Sequence, residues 1–361
     1  MGGRLADERV GQASDPLFDP EPPVRPGGGS AKHMTPPAPV RFGFLSTAAI
    51  NAYALAGLEG STAVEVVAVA SRTQAVADAY AATHRLARAH GSYEALLADP
   101  EIDAVYIPLP NALHVDWTIR ALEAGKHVLC EKPFSRHPAD VERAFDTAER
   151  TGRLLMEAFM YRHHPQTTLF AELAATEIGE LRTIRTSLGG TLDKPDDVRM
   201  RTELDGGAML DVGCYCISAA RLLGGEPELA VGTQVLGPSG VDIRFAGVLR
   251  FPRDVVATFD CGFDLAPTSV IEAIGSSGRI RAVEAFLLGH SAIELTRASG
   301  ETDRIETEQP DSYRLEFENL AAAIRGAAEP LLGRADALGQ ARTIDALFRS
   351  AEQGSRPVRV G

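Results

Sequence analysis

Short apolar strands alternate with helical segments between residues 40 and 157, and this alternation most constrains the fold of the chain. The first two strands are rich in β-branched residues, and the segments that follow them are rich in alanine. Such alternation indicates βαβ units, which build a parallel sheet covered by helices on both faces. The sequence therefore predicts an α/β fold that begins with a doubly wound, nucleotide-binding domain. The predicted strands are residues 40–45, 64–70, 103–107, 127–130 and 154–157.

The pattern of predicted strands and helices changes after about His164. Longer strand-like runs are separated by turn signals such as the Gly-Pro-Ser-Gly segment 237–240, and few helices interrupt them. Strands in direct succession indicate antiparallel pairing, so we expect a second α/β domain with an open, mostly antiparallel sheet. The predicted units are an amino-terminal extension at 1–38, a nucleotide-binding domain at 39–157 and a second domain at 158–361.

The first 38 residues are rich in proline and glycine and lack the apolar stretch of a secretory signal. They contain too few apolar groups to offset the entropy of ordering, so we expect this extension to be disordered. Met34 lies just ahead of the first predicted strand and is a candidate translation start, which the intact mass of the native protein would test. No stretch approaches the roughly 20 apolar residues of a membrane span.

Composition and charge argue against several classes of protein. The chain has 361 residues, of which 45% are hydrophobic and 24% are charged, as in ordinary globular proteins. Its net charge of −13 argues against nucleic acid or an anionic membrane as the main partner. Its four cysteines are too few and too scattered for a disulfide framework, which favours a cytoplasmic location. Cys214 and Cys216 have no second Cys/His pair at ligand spacing, so we expect no metal site.

The loop after the first strand lacks the glycines of the G-x-G-x-x-G dinucleotide fingerprint. In their place stand Ser46, Thr47, Ala48, Ala49 and Ile50, followed by Asn51. Small residues still let a diphosphate approach the backbone N–H groups at a helix start, and the two hydroxyls can donate to phosphate oxygens. We interpret residues 46–50 as the diphosphate-binding loop, with an ordinary strand–helix turn as the alternative.

The end of the second strand indicates which dinucleotide binds. NAD sites usually have an acidic residue there that binds the ribose 2′-hydroxyl, whereas this chain has Ser71 and Arg72. A hydroxyl and a guanidinium suit a 2′-phosphate, because arginine offers a planar, charge-assisted pair of donors. The sequence therefore favours NADP(H) over NAD(H), and a solvated Arg72 at the helix start is the alternative.

A charged pair and a proline follow the strand-like residues 127–130. Glu131 and Lys132 stand at the carboxyl end of this strand, where open α/β sheets bind their ligands. An X-Pro bond is the one peptide bond that becomes cis at modest cost, so Pro133 can also set the direction of the lysine. The alternative is a solvated turn with a surface ion pair.

A family pattern is carried, in this order, by residues 70–72, 91–97, 103–114, 124–133, 156–166 and 206–215. It resembles the glucose-fructose oxidoreductase / inositol dehydrogenase / rhizopine catabolism (Gfo/Idh/MocA) family, in particular the NADP-dependent D-xylose dehydrogenases and dihydrodiol dehydrogenases. The resemblance extends from about Val40 to the carboxyl terminus. It implies a Rossmann domain, homodimers or homotetramers formed through the second sheet, and reversible hydride transfer between NADP(H) and a secondary alcohol or hemiacetal.

The resemblance also implies roles for individual residues. Lys132 matches the catalytic lysine of the family, and Asp211 and Tyr215 match its Asp-x-x-x-His/Tyr pair. Spacing of four residues on a helix puts both side chains on one face. Arg199 matches an arginine that approaches the cofactor in the ketoreductase branch. Tyr93, Leu109 and His114 match family positions near the nicotinamide. Cofactor binding is also assigned to Pro110, Asn111 and Glu131.

Hydride transfer requires a group that takes the alcohol proton, or supplies a proton in the reverse direction. Lys132 would do this if burial and nearby cations lower its pKa from about 10.4. Even a charged ammonium would stabilise an alkoxide. Tyr215 is the alternative acid/base, and Glu131 is expected either to hold Lys132 or to be structural. His114 either contacts the cofactor or only caps its turn.

Three functions compete. The first is an NADP-dependent dehydrogenase of a sugar or a cyclic diol. The second is a sugar-nucleotide 3-ketoreductase of deoxysugar biosynthesis, which would need cations for the substrate diphosphate near residues 51–54, where there are none. The third is a catalytically inactive cofactor-binding sensor, which the missing glycines favour and the presence of Lys132, Asp211 and Tyr215 opposes.

Overall fold

The computed structural model describes residues 38–286 and 292–361. The predicted extension therefore lies, except for its last residue, outside the described residues. The first part of the chain alternates strands and helices as predicted. Its strands are β1 Val40–Phe44, β2 Val64–Ala70, β3 Arg88–His90, β4 Ala104–Ile107, β5 His127–Glu131 and β6 Leu155–Ala158. Its helices are α1 Asn51–Leu58, α2 Gln74–His84, α3 Tyr93–Leu97, α4 His114–Glu123 and α5 Pro138–Thr151.

These six strands form one sheet in the order β3-β2-β1-β4-β5-β6, and every neighbouring pair is parallel. The prediction of a doubly wound α/β fold is confirmed. The chain reverses its direction of travel across the sheet between β1 and β4, and ligands of such sheets bind at this switch point, beyond the carboxyl ends of the strands. Strand β3 was not predicted, because it has only three residues, lies at the edge and buries none of them.

The second part of the chain forms a nine-stranded sheet with helices packed on one face. Its strands are β7 Leu181–Thr191, β8 Leu229–Leu236, β9 Asp242–Arg250, β10 Val256–Gly262, β11 Asp264–Gly275, β12 Gly278–Val283, β13 Ile293–Arg297, β14 Thr302–Ile305 and β15 Val358–Arg359. Its helices are α6 Pro165–Thr176, α7 Cys214–Gly224, α8 Ser312–Ile324 and α9 Arg334–Glu352.

The order of this sheet is β14-β13-β12-β11-β7-β10-β9-β8-β15. Among the described strands of this second sheet, only β7 and β10 pair in parallel, so the predicted mostly antiparallel sheet is confirmed. Burial alternates along β7, where Ile184 and Leu188 are buried and Arg185 is exposed. One face of the sheet therefore packs against helices, and the other face is open.

Helix α8 follows the second sheet in sequence but packs on the first one. Its Phe317 ring lies 5.1 Å from the rings of both Phe42 and Tyr106, and 5.9 Å from that of Phe44. Asp311 caps the amino-terminal end of α8, and its side chain accepts a hydrogen bond from the backbone N–H of Arg314 at 3.0 Å. Packing of α8 against β1 and β4 buries the face of the parallel sheet behind the ends of β4 and β5.

Candidate active site

Lys132 lies directly after β5, at the carboxyl edge of the parallel sheet. Its side chain is only 13% exposed, and the Lys132–Pro133 peptide bond is cis. The ammonium Nζ donates to the backbone oxygen of Asp211 at 2.7 Å and to its carboxylate Oδ1 at 3.1 Å. The lysine is thus a fixed, charged group at the strand ends and not a solvated surface turn.

Asp211 connects Lys132 to Arg199. Its second carboxylate oxygen, Oδ2, is 2.9 Å from Arg199 Nε, and Arg199 also bonds Asp197 at 3.1 Å. A single π-helical turn, Met209–Gly213, precedes α7 and directs the backbone oxygen of Asp211 at the lysine. Partial burial of the carboxylate raises the pKa of Asp211, but Lys132 and Arg199 lower it more, so Asp211 stays ionised.

Gly206 allows the segment that bears Arg199 to fold close to the one that bears Asp211. A Cβ atom at position 206 would meet the backbone oxygen of Arg199, which belongs to a rigid 3₁₀ turn at Val198–Met200. Glycine is required here because the two backbone segments approach closely.

Tyr215 lies beneath the lysine. Lys132 Nζ is 4.8 Å from the centre of its ring, within the range of a cation–π contact. The tyrosine hydroxyl donates to the sulfur of Met160 at 3.6 Å, and the ring is surrounded by Phe159, Tyr161 and Phe286. Burial raises the pKa of Tyr215 well above its ordinary value, and Glu131 raises it further. The structure thus brings Lys132, Asp211, Tyr215 and Arg199 together, but presents the face of the tyrosine ring to the ammonium.

Of the two forms of Lys132 considered above, a lysine with a lowered pKa and a charged ammonium, the electrostatics of the site favour the charged ammonium. Burial lowers the pKa of Lys132, but Asp211 in particular, together with Cys214 and Glu131, raises it more, and the net pKa is well above its ordinary value. The nearby cation Arg199 does not reverse this, because Asp211 lies between the two positive groups. At neutral pH Lys132 is therefore an ammonium, which is the form that donates a proton.

Glu131 is held from two sides. Its Oε1 accepts a hydrogen bond from the Tyr106 hydroxyl at 2.5 Å, and its Oε2 accepts one from the backbone N–H of Lys132 at 3.3 Å. Burial raises the pKa of Glu131, and Lys132 lowers it by less, so the net pKa lies above its ordinary value. Glu131 thus contacts the main chain of Lys132 rather than forming the ion pair that Asp211 forms.

His114 links the ends of β4 and β5. It is fully buried, with Nε2 2.7 Å from the backbone oxygen of Leu109 and Nδ1 2.9 Å from that of Pro133. Pro110 precedes a 3₁₀ turn, in which Asn111 donates to the backbone oxygen of Asp205 at 2.8 Å. Burial lowers the pKa of His114 and the two carbonyl contacts oppose this. His114 therefore ties together the turns that follow β4 and β5, and its contact with the cofactor stays a prediction.

The loop at residues 46–50 has free donors despite its missing glycines. Within the described residues, the backbone N–H groups of Thr47, Ala49 and Ile50 donate no hydrogen bond, and helix α1 begins without a side-chain cap. Such a helix start suits a diphosphate. The Ser46 hydroxyl donates to the backbone oxygen of Pro108 and accepts from the Ala48 N–H, each at 3.2 Å, and its donation to a phosphate stays a prediction.

Asn51 occupies the position of the third glycine of the fingerprint. It is fully buried, and its side-chain amide donates to the backbone oxygen of Ser46 at 2.8 Å. The amide therefore closes the loop 46–50 from within, which explains how this loop keeps a compact shape without glycine.

Ser71 and Arg72 lie at the end of β2, as predicted. Ser71 is largely buried, whereas Arg72 is exposed and makes no hydrogen bond or ion pair with the residues that the structure describes. Tyr93 stacks edge-on against Trp117 with ring centres 4.9 Å apart. Burial raises the pKa of Tyr93 and the charge of Arg72 lowers it, and the predicted place of Tyr93 near the nicotinamide stays a prediction.

Two findings concern other kinds of site. In residues 38–286 and 292–361 there is no group of three or more His, Cys, Asp or Glu side chains placed to hold a metal ion. None of the helices described is both long and apolar enough to cross a membrane.

A parallel sheet with free backbone N–H groups at its first loop, and an ammonium held at its carboxyl edge, is the arrangement expected of a nicotinamide-dependent oxidoreductase. Comparison with family models agrees. An oxidoreductase family model with an NAD-binding Rossmann fold, GFO/IDH/MocA, matches residues 41–159, and the C-terminal domain model of that family matches residues 168–281. The chain belongs to the GFO/IDH/MocA family, as the sequence motifs indicated.

Individual relatives are similar over most of the chain. A D-xylose 1-dehydrogenase (NADP(+)) from Haloferax volcanii is 42% identical, over 87% of this chain and 98% of its own length. A dTDP-3,4-didehydro-2,6-dideoxy-alpha-D-glucose 3-reductase from Saccharopolyspora spinosa is 36% identical, over 88% and 99%. Among solved structures, a 3-ketoreductase from Actinomadura kijaniata in complex with NADP and TDP-benzene has a TM-score of 0.81 and 33% identity, over 86% and 97%.

Two residues at the site were not found in the sequence. Tyr106 lies in a fully buried strand, where an aromatic residue is ordinary, so only the structure shows that its hydroxyl bonds Glu131. Glu316 lies in α8 between Tyr313 and Phe317 in sequence, and it is fully buried. A glutamate among the apolar residues of this helix was the available signal.

Proposed function

We propose that this protein is an NADP(H)-dependent dehydrogenase or reductase that acts on a secondary alcohol, hemiacetal or ketone of a sugar or a cyclic diol. The observation that carries the proposal is the ammonium of Lys132, fixed by the backbone and side chain of Asp211 at the carboxyl edge of the sheet. A charged donor fixed in this way protonates the oxygen of a carbonyl that is being reduced, and stabilises the alkoxide of an alcohol that is being oxidised.

Each neighbour of Lys132 has a defined task in this proposal. Asp211 holds the ammonium in place and keeps it protonated, and Arg199 fixes the other carboxylate oxygen of Asp211. The ring of Tyr215 supports the ammonium from below. Because the tyrosine hydroxyl is bonded to Met160, Lys132 rather than Tyr215 is the proton donor to the substrate.

The chain has the residues that would hold NADP(H). The free N–H groups of loop 46–50 would bind the diphosphate, and Ser71 and Arg72 would bind the 2′-phosphate. Leu109, Pro110 and Asn111 line the end of β4 beside the lysine turn. The cofactor supplies or accepts the hydride when it is bound. The names of the dehydrogenase from Haloferax volcanii and of the ketoreductase complex, which both include NADP, support this preference.

A sugar-nucleotide 3-ketoreductase is the second candidate function. Its support is the similarity to the Saccharopolyspora spinosa reductase and to the ketoreductase solved with TDP-benzene. Against it, the first turn of α1, residues 51–54, has no lysine or arginine that could bind the diphosphate of a nucleotide substrate. We therefore rank a dehydrogenase of a free sugar or diol above the sugar-nucleotide ketoreductase. The inactive sensor ranks last of the three candidate functions, because Lys132, Asp211 and Tyr215 form one cluster.

We further propose that the protein forms a homodimer or homotetramer through the open face of its second sheet. Val235 and Val248 are at least 40% exposed on this sheet. Sedimentation of the wild-type protein and of a variant with aspartate at both valines would test the assembly. If both sedimented as monomers, the proposed assembly would be contradicted.

We also propose a cytoplasmic location. All four cysteines of the chain are unpaired, which supports it.

The proposed activity is tested by cofactor binding and turnover together. NADPH fluorescence titration should show binding well below millimolar concentration and a preference over NADH. A panel of aldoses, cyclitols, aromatic diols and dTDP-sugars, followed by NADPH absorbance, should then identify the substrate class. Binding of NADPH with no turnover on any class would favour the sensor. Turnover confined to dTDP-sugars would favour the ketoreductase.

A further inference from the structure

The single π-helical turn Met209–Gly213 bears Asp211, the residue that fixes the ammonium of Lys132. Isolated π turns are rare, and they occur often at functional sites. If this turn became α-helical, the register would shift by one residue and Asp211 would rotate by about 100°, since an α-helix has about 3.6 residues per turn. Its backbone oxygen and its carboxylate would then no longer both face Lys132. The position of Asp211 therefore depends on the contacts that hold the turn in π geometry.

The start of the π turn is held by Asp242, the first residue of β9. Asp242 is buried, and its Oδ2 accepts the backbone N–H of Met209 at 2.7 Å. Gly207 passes directly over this carboxyl group, so a Cβ atom at position 207 would meet Oδ1 of Asp242. The φ of +122° at Gly207 also favours glycine. Asp242 thus acts as a helix cap that is supplied by another element of the fold.

The residue that follows the π turn is held by Gln340 of α9. Gln340 is buried, and its side-chain N–H donates to the backbone oxygen of Cys214 at 2.7 Å. The side-chain oxygen of Gln340 accepts from Arg221 Nη1 at 3.2 Å, so reversal of this amide would lose both bonds. The Cys214 thiol donates in turn to the backbone oxygen of Asp211 at 3.5 Å, and the same oxygen accepts from Lys132. Gln340 therefore fixes the end of the turn next to the oxygen that binds the ammonium.

We propose that Asp242 and Gln340 are positioning residues for the reaction that hold the π turn at its two ends. They thereby keep the backbone oxygen and the carboxylate of Asp211 directed at Lys132. Each acts through a backbone group, and loss of either side chain would leave that buried group without its partner, which is costly. The effect on turnover rests on the proposed function of Lys132, whereas the effect on the position of Asp211 does not.

The position of Asp211 is tested through the pKa of Lys132, which NMR of ¹³C-labelled lysine measures without any turnover. Burial lowers this pKa, but nearby groups, Asp211 foremost, raise it more and keep it well above its ordinary value. In Gln340→Met and in Asp242→Ala we expect Asp211 to move away from the ammonium. The pKa of Lys132 should then fall toward about 10.4, the ordinary value of a lysine. Its signal has to be distinguished from those of only a few other lysines, which are Lys32, Lys126 and Lys194.

Two exposed residues provide matched controls. Gln353→Met lies just beyond the end of α9, and Asp264→Ala lies at the first residue of β11, as Asp242 does in β9. Both controls should keep the wild-type pKa of Lys132 and the wild-type kcat of carbonyl reduction. Gln340→Met and Asp242→Ala should each lower kcat at least about tenfold, because a displaced proton donor loses much of its effect.

The two measurements separate this inference from the proposed function. An unchanged pKa of Lys132 in either variant would overturn the positioning role of the residue concerned, whatever the rate. A lowered pKa with an unchanged kcat would support the positioning role and contradict the proposed function of Lys132 instead. If Asp242→Ala does not fold, Gln340→Met decides, because methionine conserves the size of the glutamine side chain.

Discussion

Removal of the negative charge on Asp211 should weaken catalysis through Lys132. The substitution Asp211→Asn keeps the shape of the side chain and the backbone oxygen that accepts from Lys132 Nζ. For unit charges 3.1 Å apart, Coulomb's law at an effective dielectric constant of about 20 gives about 5 kcal/mol. This value is an upper limit, because Asp211 is 23% exposed and divides its charge between Lys132 and Arg199.

We expect about half of this energy, near 2.7 kcal/mol, to be lost from the transition state, which corresponds to about 100-fold in kcat/KM. Asp211 raises the pKa of Lys132, so its removal lowers that pKa. The ammonium is the active form for carbonyl reduction, so the activity of the variant should decline at a lower pH than that of wild type.

The assay is the rate of carbonyl reduction, followed by loss of NADPH absorbance between about pH 6 and pH 10, where the wild-type rate should show no alkaline decline due to Lys132 and the variant should show one. Asp197→Asn is the matched control, since Asp197 also pairs with Arg199 at 3.1 Å but does not contact Lys132. The control should stay within about threefold of wild type. The absence of an alkaline decline in Asp211→Asn, with activity near that of wild type, would refute the reasoning.

Three further predictions concern the rest of the site. Arg72→Ala should raise the KM for NADPH at least about tenfold and leave the KM for NADH unchanged, and exposed Arg279→Ala should change neither; equal effects on both cofactors would contradict the 2′-phosphate assignment. In wild type, the free energy of unfolding should fall by about 1.4 kcal/mol per pH unit between pH 4.5 and about 8, because Glu157 keeps a proton in the folded state that the unfolded state releases. Glu157→Gln should not show this decrease. Urea unfolding across this pH range measures it, and parallel pH profiles of variant and wild type would disprove it. Gly206→Ala should displace Arg199 and lower kcat, whereas Gly190→Ala, where an added Cβ meets open space, should not; equal kcat values would show that the close approach at Gly206 is unimportant.

The sequence predicts the fold well where one physical signal dominates. Alternating strands and helices specify the parallel sheet, and successive strands with turn residues specify the antiparallel one. The pattern of apolar residues does not predict β3, because this strand buries none of its residues. It also does not predict that α8 packs on the first sheet. The hydrophobic face of a helix shows that it packs, but not on which of two sheets.

The candidate site could be predicted in part. Lys132 is located by its place after a strand, and the motif resemblance adds Asp211, Tyr215 and Arg199. The raised pKa of Lys132 could not be predicted, because it depends on the 3.1 Å contact with Asp211 and on the burial of both. The direction of the Tyr215 hydroxyl toward Met160, and the hydrogen bond between Tyr106 and Glu131, depend on tertiary packing in the same way.

The turnover of Lys132→Ala compared with that of Tyr215→Phe tests the central claim most directly. Both variants should bind NADPH as wild type does, which fluorescence titration would establish. On the best substrate of the panel, Lys132→Ala should lose about 10²–10⁴-fold in kcat, the contribution of a positioned acid. Tyr215→Phe should lose much less, because its hydroxyl faces Met160. Near-normal turnover in Lys132→Ala, or a larger loss in Tyr215→Phe, would contradict the assignment of Lys132 as the proton donor.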